Sequence, residues 1–376
     1  MPPSSTRLAR ICFWVAFAAR SVTCTARFGH SRSPLSSFVS GFGVAAQDIA
    51  KRQASLVYGA TSLPAVAAGA SSQYLTGVVL DATPFYAEAG GQKNDVGVIE
   101  VDGVSLEVRD VQAYAGYVLH TCVASSGSIR VSASVQSKVD EENRRRNAIN
   151  HSMTHALNWA LWTKLGDGVA QRGSDNDAER LRFDFSHTKA LTGDELEEVE
   201  ELVNGVIEKD DPIQRALVPL DEAMQIESLR AVFGENYPDP VRVVAVGLGD
   251  DTLDDVRKDP SNEKWRAASI ELCGGTHSLA SGDAKRFVIT REEAVAKGVR
   301  RVEAVTNGKA AEAARVGDEL LAACQALEKL ETPSAEEQKE LRARIDAATC
   351  SASLKPKLRA SLENVAKRLA AKEKAK

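Results

Sequence analysis

Two short stretches carry the residue types best suited to chemistry. SIELCGGTH, residues 269–277, sets Cys273 four positions before His277, and NHSMTH, residues 150–155, sets His151 four before His155. Imidazole and thiolate are donors for a borderline-soft ion, and two or three nitrogens with one sulfur suit tetrahedral Zn²⁺ rather than Mg²⁺ or Ca²⁺, which take oxygens. Each pair alone has a plain alternative, a wet or core-edge helix face. Two such pairs in a chain of six histidines favour one shared centre. Cys273 as a nucleophile is the competing chemistry, but it has no evident general base other than the histidines that would be ligands. Four protein ligands make a closed structural site and an open position makes a Lewis-acid site; spacing leaves both open.

The elements that must position these residues read as α+β. From Tyr74 to Val135 the segments LTGVVLD, VGVIEV, SLEVRDV, YVLHTCV and SIRVSASV alternate between Gly, Asp and Ser turns, the pattern of a small antiparallel barrel or curled sheet. A helix is expected from about Asp140 to Leu165, with Ile149, Met153, Leu157 and Leu161 at helical spacing and both histidines on one face. Two glycines in CGGTH argue instead for a strand-end turn. LRFDFSH alternates as a strand, with VAQRGS just before it, and Thr192 with Glu195 makes a capping box for a helix to about Lys209. Further strands are expected at 241–247, 269–273, 286–290 and 300–305, interrupted by a helix-like REEAVAKG. No regular βαβ repeat is present, which favours an α+β sandwich. After Ala310 the pattern is helical: Leu320, Leu321, Leu327 and Leu330 form one stripe, and Leu341 with Ile345 a second. Leu354, Leu358, Leu362, Val365 and Leu369 form a short coiled-coil seam through which copies of the chain could self-associate. Residues 355–376 carry eight Lys or Arg against two Glu, so this helix could also touch a polyanion or simply fold back by its leucines.

The totals set limits. A chain of 376 residues, 43% hydrophobic, is long enough for two or three domains, and a net charge of -5 excludes a whole-protein basic field, leaving only a local patch for nucleic acid. Six cysteines without a C-x-x-C pair fit a reducing compartment. The run ICFWVAFAA is too short for a membrane helix of about 20 residues, so no membrane partner is expected. Arg7, Arg10, Arg20, Arg27 and Arg32 precede the first acid, Asp48, among many Ser and Ala. That pattern suggests a transit segment for a mitochondrion or plastid, with a secretory signal and a cytoplasmic protein as alternatives. The expected divisions are a targeting-like or disordered segment and linker at 1–70, a barrel at 74–137, a metal-binding domain at 138–308 and a helical tail at 309–376.

Five segments in order resemble one family: FYAEAGGQKNDVG at 85–97, NHSMTH, VAQRGS with LRFDFSH, ELCGGTH, and GVRRVEAVTN at 298–307. The chain resembles the editing domain of alanyl-tRNA synthetase and its free-standing relatives, the alanyl-tRNA editing proteins. The resemblance implies a zinc-dependent aminoacyl-tRNA deacylase that hydrolyses seryl- or glycyl-tRNA(Ala), with one Zn²⁺ per chain on His151, His155, Cys273 and His277. It implies that Thr154 and Gln171 help sort the wrong amino acid, and that Gly90, Gly91, Gln92 and Asp95, with Gly97, form a supporting motif in the barrel. Arg144, Arg145, Arg146, Arg300 and Arg301 are candidate phosphate contacts for the acceptor end of tRNA(Ala); a solvated face among neighbouring acids is the alternative. Met153 and TNGKA depart from the family pattern without removing a ligand. Two other readings remain: a fragment of alanyl-tRNA synthetase lacking the aminoacylation domain, for which too few residues precede the barrel, and a zinc-stabilised tRNA-binding module without turnover.

Overall fold

A computed structural model describes residues 53–58, 74–124, 129–232 and 235–374; the Arg-rich start, with Cys12 and Cys24, lies outside them. The chain divides into a barrel unit, up to Glu88 and again over Asn94–Asn143, and a larger unit of Ala89–Lys93 with Arg144–Lys376.

The barrel is built from β1 (Gln53–Tyr58), β2 (Tyr74–Leu80), β3 (Gly97–Val101), β4 (Val104–Tyr114), β5 (Tyr117–Ala124) and β6 (Ser134–Val139). They close in the order β1-β2-β5-β4-β3-β6, with antiparallel pairing of β1 to β6. Closure leaves no unpaired edge, and the inward side chains Val78, Ile99, Leu106, Val108, Val111 and Cys122 make its core. Residues 53–58 fall within the stretch expected to lie outside the core fold. They are instead the strand that closes the barrel, because pairing with both β2 and β6 outweighs a weak local pattern.

In the larger unit, α1 (Glu141–Leu165) is buried on every side from Asn147 to Leu161, so the face carrying His151 and His155 is enclosed. An antiparallel sheet of β7 (Gln171–Asn176), β8 (Leu181–Ser186), β13 (Phe287–Ala296) and β14 (Val299–Thr306) has the order β13-β14-β8-β7. A second sheet of β9 (Gln214–Val218), β10 (Leu229–Arg230), β11 (Val241–Val246) and β12 (Ser269–Leu272) has the order β10-β12-β11-β9. The helix α2 (Gly193–Lys209) starts at the expected Thr192–Glu195 capping box. Leu157, Leu161, Phe183, Phe185, Val199, Val203 and Phe287 meet in the main core.

One local expectation is corrected. REEAVAKG is not helical: Arg291–Ala296 continue β13 and pair with β14 across a turn that Gly298 makes at φ +78°. Long-range pairing overrides the helix preference of Glu and Ala there. The segment just before LRFDFSH, from Gln171 to Asn176, is itself a strand that pairs with β8.

The tail folds as α3 (Asn307–Lys329), α4 (Ala335–Ala347) and α5 (Leu354–Lys374). Leu320, Cys324, Leu327, Leu341, Ile345, Leu358 and Leu362 pack together, whereas Leu321 and Leu330, expected in the same stripe, are exposed. The seam leucines Leu358 and Leu362 are therefore covered from within the chain. Much of the basic charge also has a local use: Lys357 and Arg359 pair with Glu197 and Asp346, while Arg368 and Lys372 donate to carbonyls at the end of α3, where cations stabilise unsatisfied C=O groups. Among the described residues no helix is long and apolar enough to cross a membrane.

Candidate metal centre

His151, His155, Cys273 and His277 converge, each offering one donor atom, with all four donors within 4.8 Å of one another. Zinc bonds of about 2.0–2.3 Å place tetrahedral ligand atoms about 3.3–3.6 Å apart. Cys273 Sγ lies 3.3 Å from His151 Nε2 and 3.3 Å from His277 Nε2.

The surroundings fix the tautomers. His151 Nδ1 is 2.7 Å from Gln92 Oε1, an acceptor, so Nδ1 carries the proton and Nε2 presents its lone pair. Gln92 is itself held by Thr276, whose N–H donates to Oε1 and whose hydroxyl accepts from Nε2, both at 2.8 Å. The hydroxyl hydrogen of Ser152 goes to Ala148 O at 2.8 Å, so His277 Nδ1, 3.2 Å away, donates to that oxygen and Nε2 again faces the cluster. His155 turns Nδ1 toward Glu271 Oε2 at 3.7 Å, and Glu271 Oε1 accepts from Asn158 at 2.9 Å and Ser269 at 3.1 Å.

Charge follows the same logic. Burial opposes ionisation of the Cys273 thiol, but the three imidazoles around it, His151 first, hold its pKa well below the usual thiol value. Burial holds His277 well below the ordinary imidazole value despite the thiolate beside it. Burial also acts to lower His155, yet Glu271 and Cys273 together raise it. A thiolate with imidazoles locked by outer partners is a donor set that fits a metal ion.

Backbone geometry explains the glycines. Gly90 and Gly91 occupy the two central positions of a turn between Ala89 and Gln92, with φ +56° and +77°, a two-residue hairpin turn that needs positive φ at both. A Cβ on Gly91 would also stand 2.6 Å from Ser174 O. The turn was expected within the barrel; by its contacts Ala89–Lys93 belongs to the larger unit, because Gln92 and Gly91 dock on α1 and β7. Asp95 stays in the barrel unit, where it accepts from Tyr86 N at 2.6 Å. At Gly275 any side chain would collide with the His151 ring and come within 2.8 Å of Gln92 Oε1.

Thr154 is buried, one turn after His151 and immediately before His155, with Oγ1 2.8 Å from Asn150 O and 2.9 Å from Asn176 Oδ1. One hydroxyl hydrogen cannot serve both. Turning the Asn176 amide so that Nδ2 donates to Thr154 gives that otherwise unpartnered nitrogen a bond and leaves the hydrogen for Asn150 O. Gln171 sits at the start of β7 and donates to Ser174 at 3.4 Å.

The candidate RNA-facing arginines differ. Arg300 makes a two-point pair with Glu292 at 2.5 and 2.6 Å, and Arg301 with Asp184 at 2.7 and 2.8 Å, so both forks are committed to acids. Arg146 pairs with Glu179, and Arg144 and Arg145 lie beside it in the first turns of α1, half-buried and exposed.

Sequence reasoning missed Arg215 on β9 and Arg242 on β11. Arg242 donates from Nε to Cys273 O at 2.7 Å and from Nη2 to Gly275 O; Arg215 Nη2 donates to His277 O at 3.1 Å and to Ser278 O. Their only signal was a lone charge in each of two short strands, QRALV and VRVVAV.

Comparison with known proteins places this architecture among aminoacyl-tRNA synthetase modules. Residues 46–143 match the family model for class II (A) tRNA synthetases, and residues 241–303 match the threonyl and alanyl tRNA synthetase second additional domain. These matches make the chain similar to alanyl-tRNA synthetases, as an editing-domain-containing protein or as a fragment of one. It is 48% identical over 250 residues to alanine–tRNA ligase of Candida albicans, covering 66% of this chain and 25% of that protein. It is 44% identical over 264 residues to the mitochondrial enzyme of Saccharomyces cerevisiae, covering 70% and 27%, and 44% over 251 residues to the cytoplasmic enzyme of Dictyostelium discoideum, covering 65% and 26%. The chain thus spans about a quarter of the length of these relatives.

Proposed function

We propose that this chain hydrolyses the aminoacyl ester of tRNA(Ala) wrongly charged with serine or glycine, with one Zn²⁺ held by His151, His155, Cys273 and His277. The observation that carries the reading is the convergence of those four donors inside a shell, Gln92, Ser152 and Glu271, that turns each imidazole toward a common point. Zinc, held by ligands from α1 and from the 273–277 turn, would tie those two elements together and would supply a Lewis acid if one position opened.

The chain's own residues supply the selectivity. After donating to Asn150 O and accepting from Asn176, Thr154 Oγ1 keeps one lone pair in a fixed direction. A serine hydroxyl can donate to it and an alanine methyl cannot, so correct alanyl-tRNA leaves a buried polar atom unmatched. Gln171 adds an amide on the neighbouring strand. The terminal ribose hydroxyl of the RNA is suited to assist attack, and no protein general base is assigned. Arg144, Arg145 and Arg146 offer phosphate contacts along α1. The Arg-rich, acid-poor stretch before Asp48 would direct the protein to a mitochondrion or plastid, a destination that a fluorescent fusion tests directly.

Incubating seryl-tRNA(Ala) with protein of measured zinc content should release serine, with alanyl-tRNA(Ala) spared. Intact seryl ester after prolonged incubation with fully metallated protein would refute hydrolysis and leave an RNA-binding role.

A further inference from the structure

Arg146, Arg300, Arg301 and Arg359 are each matched to an acid. Arg215 and Arg242 are not: among the described residues neither has a carboxylate at ion-pair distance, and both spend their hydrogen bonds on backbone carbonyls of the metal-ligand turn. In the antiparallel register Val244 faces Arg215 and Leu217 faces Arg242, so the two arginines are diagonal neighbours on one face of the sheet. Glu271 faces Val244 across β11 and β12, which puts that carboxylate on the same face, and Cys273 follows two residues later. One sheet face therefore carries a metal ligand, the acid behind His155 and two adjacent cations.

Holding the turn does not exhaust either guanidinium. Each has five N–H donors. Arg242 uses one at Nε and one at Nη2, and Arg215 uses two at Nη2, so three remain on each. Arg215 is exposed and Arg242 half-buried, so the surplus donors are open to a ligand from solvent. Two like charges side by side without counter-ions are costly, and an arriving anion relieves that cost. A phosphodiester fits the fork geometry, and placing it one turn from Cys273 and His277 would seat the ester of an RNA 3′ end beside the metal cluster.

We propose that Arg215 and Arg242 act as a pair, positioning the ligand turn through its carbonyls and binding a backbone phosphate at the 3′ end of the RNA with their remaining donors. This rests on the deacylase reading above and names the charge that delivers its substrate.

The test uses the full chain loaded with zinc. KM for seryl-tRNA(Ala) and binding of uncharged tRNA(Ala) are followed across salt concentrations for wild type, Arg215→Gln, Arg215→Lys and Arg257→Gln. Arg257 pairs with Glu222 and Asp254 and controls for loss of one positive charge. Arg215→Gln should raise KM about tenfold, as loss of one charge-assisted contact would. It should also lower the slope of log affinity against log salt by about 0.7, the value for one contact to single-stranded nucleic acid. Arg215→Lys, which keeps the charge and loses the fork, should restore the slope, and Arg257→Gln should leave it at the wild-type value. A wild-type slope in metal-loaded Arg215→Gln, or an equal drop in Arg257→Gln, overturns the phosphate assignment and leaves only the clamp. If Arg215→Gln does not fold, a slope in Arg215→Lys well below wild type overturns it instead. Failure of wild type to release serine is separate and strikes the deacylase reading itself.

Discussion

His120 and Cys122 in the barrel and His277 and Cys273 in the larger unit are the same residue types at short spacing, all secluded to some degree, with opposite outcomes. His120 donates from Nδ1 to Val78 O at 3.0 Å and accepts the Thr83 hydroxyl at 2.7 Å on Nε2, so both nitrogens are spent. Burial pushes its pKa down to about 4 and pushes the Cys122 thiol up to about 12. Around Cys273 burial acts in the same direction, but three imidazoles outweigh it and favour the thiolate. Burial alone silences these side chains; unspent lone pairs brought to one point make them ligands.

Removing the sulfur breaks this contrast most sharply. Cys273→Ala should weaken zinc binding roughly 10²- to 10³-fold if the ~10–16 kcal/mol of a structural zinc site is shared among four ligands, and serine release should fall with it. Metal analysis after dialysis against a graded chelator checks it, and retained stoichiometric zinc would remove Cys273 from the donor set. A smaller effect is expected one shell out. Gln92→Ala frees His151 Nδ1 and should lower zinc affinity about 10- to 100-fold, the usual cost of losing an outer-shell partner. Gln92→Glu, which keeps an acceptor opposite Nδ1, should recover part of that loss; equal affinity in all three proteins would mean that Gln92 does not orient the ligand.

How much of this was legible follows from how local each signal is. The four donors could be found because ligand residue types stood at i,i+4 spacing on a helix and across a glycine-rich turn. The Thr192–Glu195 cap and most barrel strands were equally local. Gln92 was visible only as part of a motif, since its bond to His151 spans 59 positions. Arg215 and Arg242 showed only as lone charges in two strands, because carbonyls, which have no sequence signature, are their partners. The second half of β13, Arg291–Ala296, read as helix because Glu and Ala dominate it, and only its register with β14 makes it a strand. The basic α5 left docking by its leucines, a second copy and a polyanion open; its leucines do fold back, and its charges cap α3 and pair with α2 and α4, contacts fixed by tertiary packing.

The barrel half of the comparison predicts a pH effect of its own. His120 has a folded pKa of about 4 against 6.5 in the unfolded chain. The neutral form is native, so its stabilisation is complete above about pH 6.5 and is lost as pH falls toward 4, where the unfolded chain binds a proton the native barrel refuses. Between pH 7 and 5 this removes about 2 kcal/mol. His120→Gln, whose amide can both donate to Val78 O and accept from Thr83, should flatten that part of the pH dependence. Urea unfolding of both proteins at the two pH values measures it, the difference between them cancelling the protons taken up at the metal cluster; parallel pH profiles would place His120's protonation outside folding.

Cys122→Ala is the mildest test and bears most directly on the contrast with Cys273. With its pKa near 12 the thiol stays protonated at neutral pH, and its contact with His120 O, at 3.6 Å, is a weak hydrogen bond. It then acts as a small apolar side chain in the barrel core, and truncation should cost about 1 kcal/mol through lost packing and a small cavity. Zinc stoichiometry and serine release should match wild type, and a thiol reagent at pH 7 should modify metal-free protein at Cys273 well before Cys122. Loss of metal from Cys122→Ala, or faster labelling there than at Cys273, would mean that the barrel thiol is a working ligand and that convergence is not what separates the two regions.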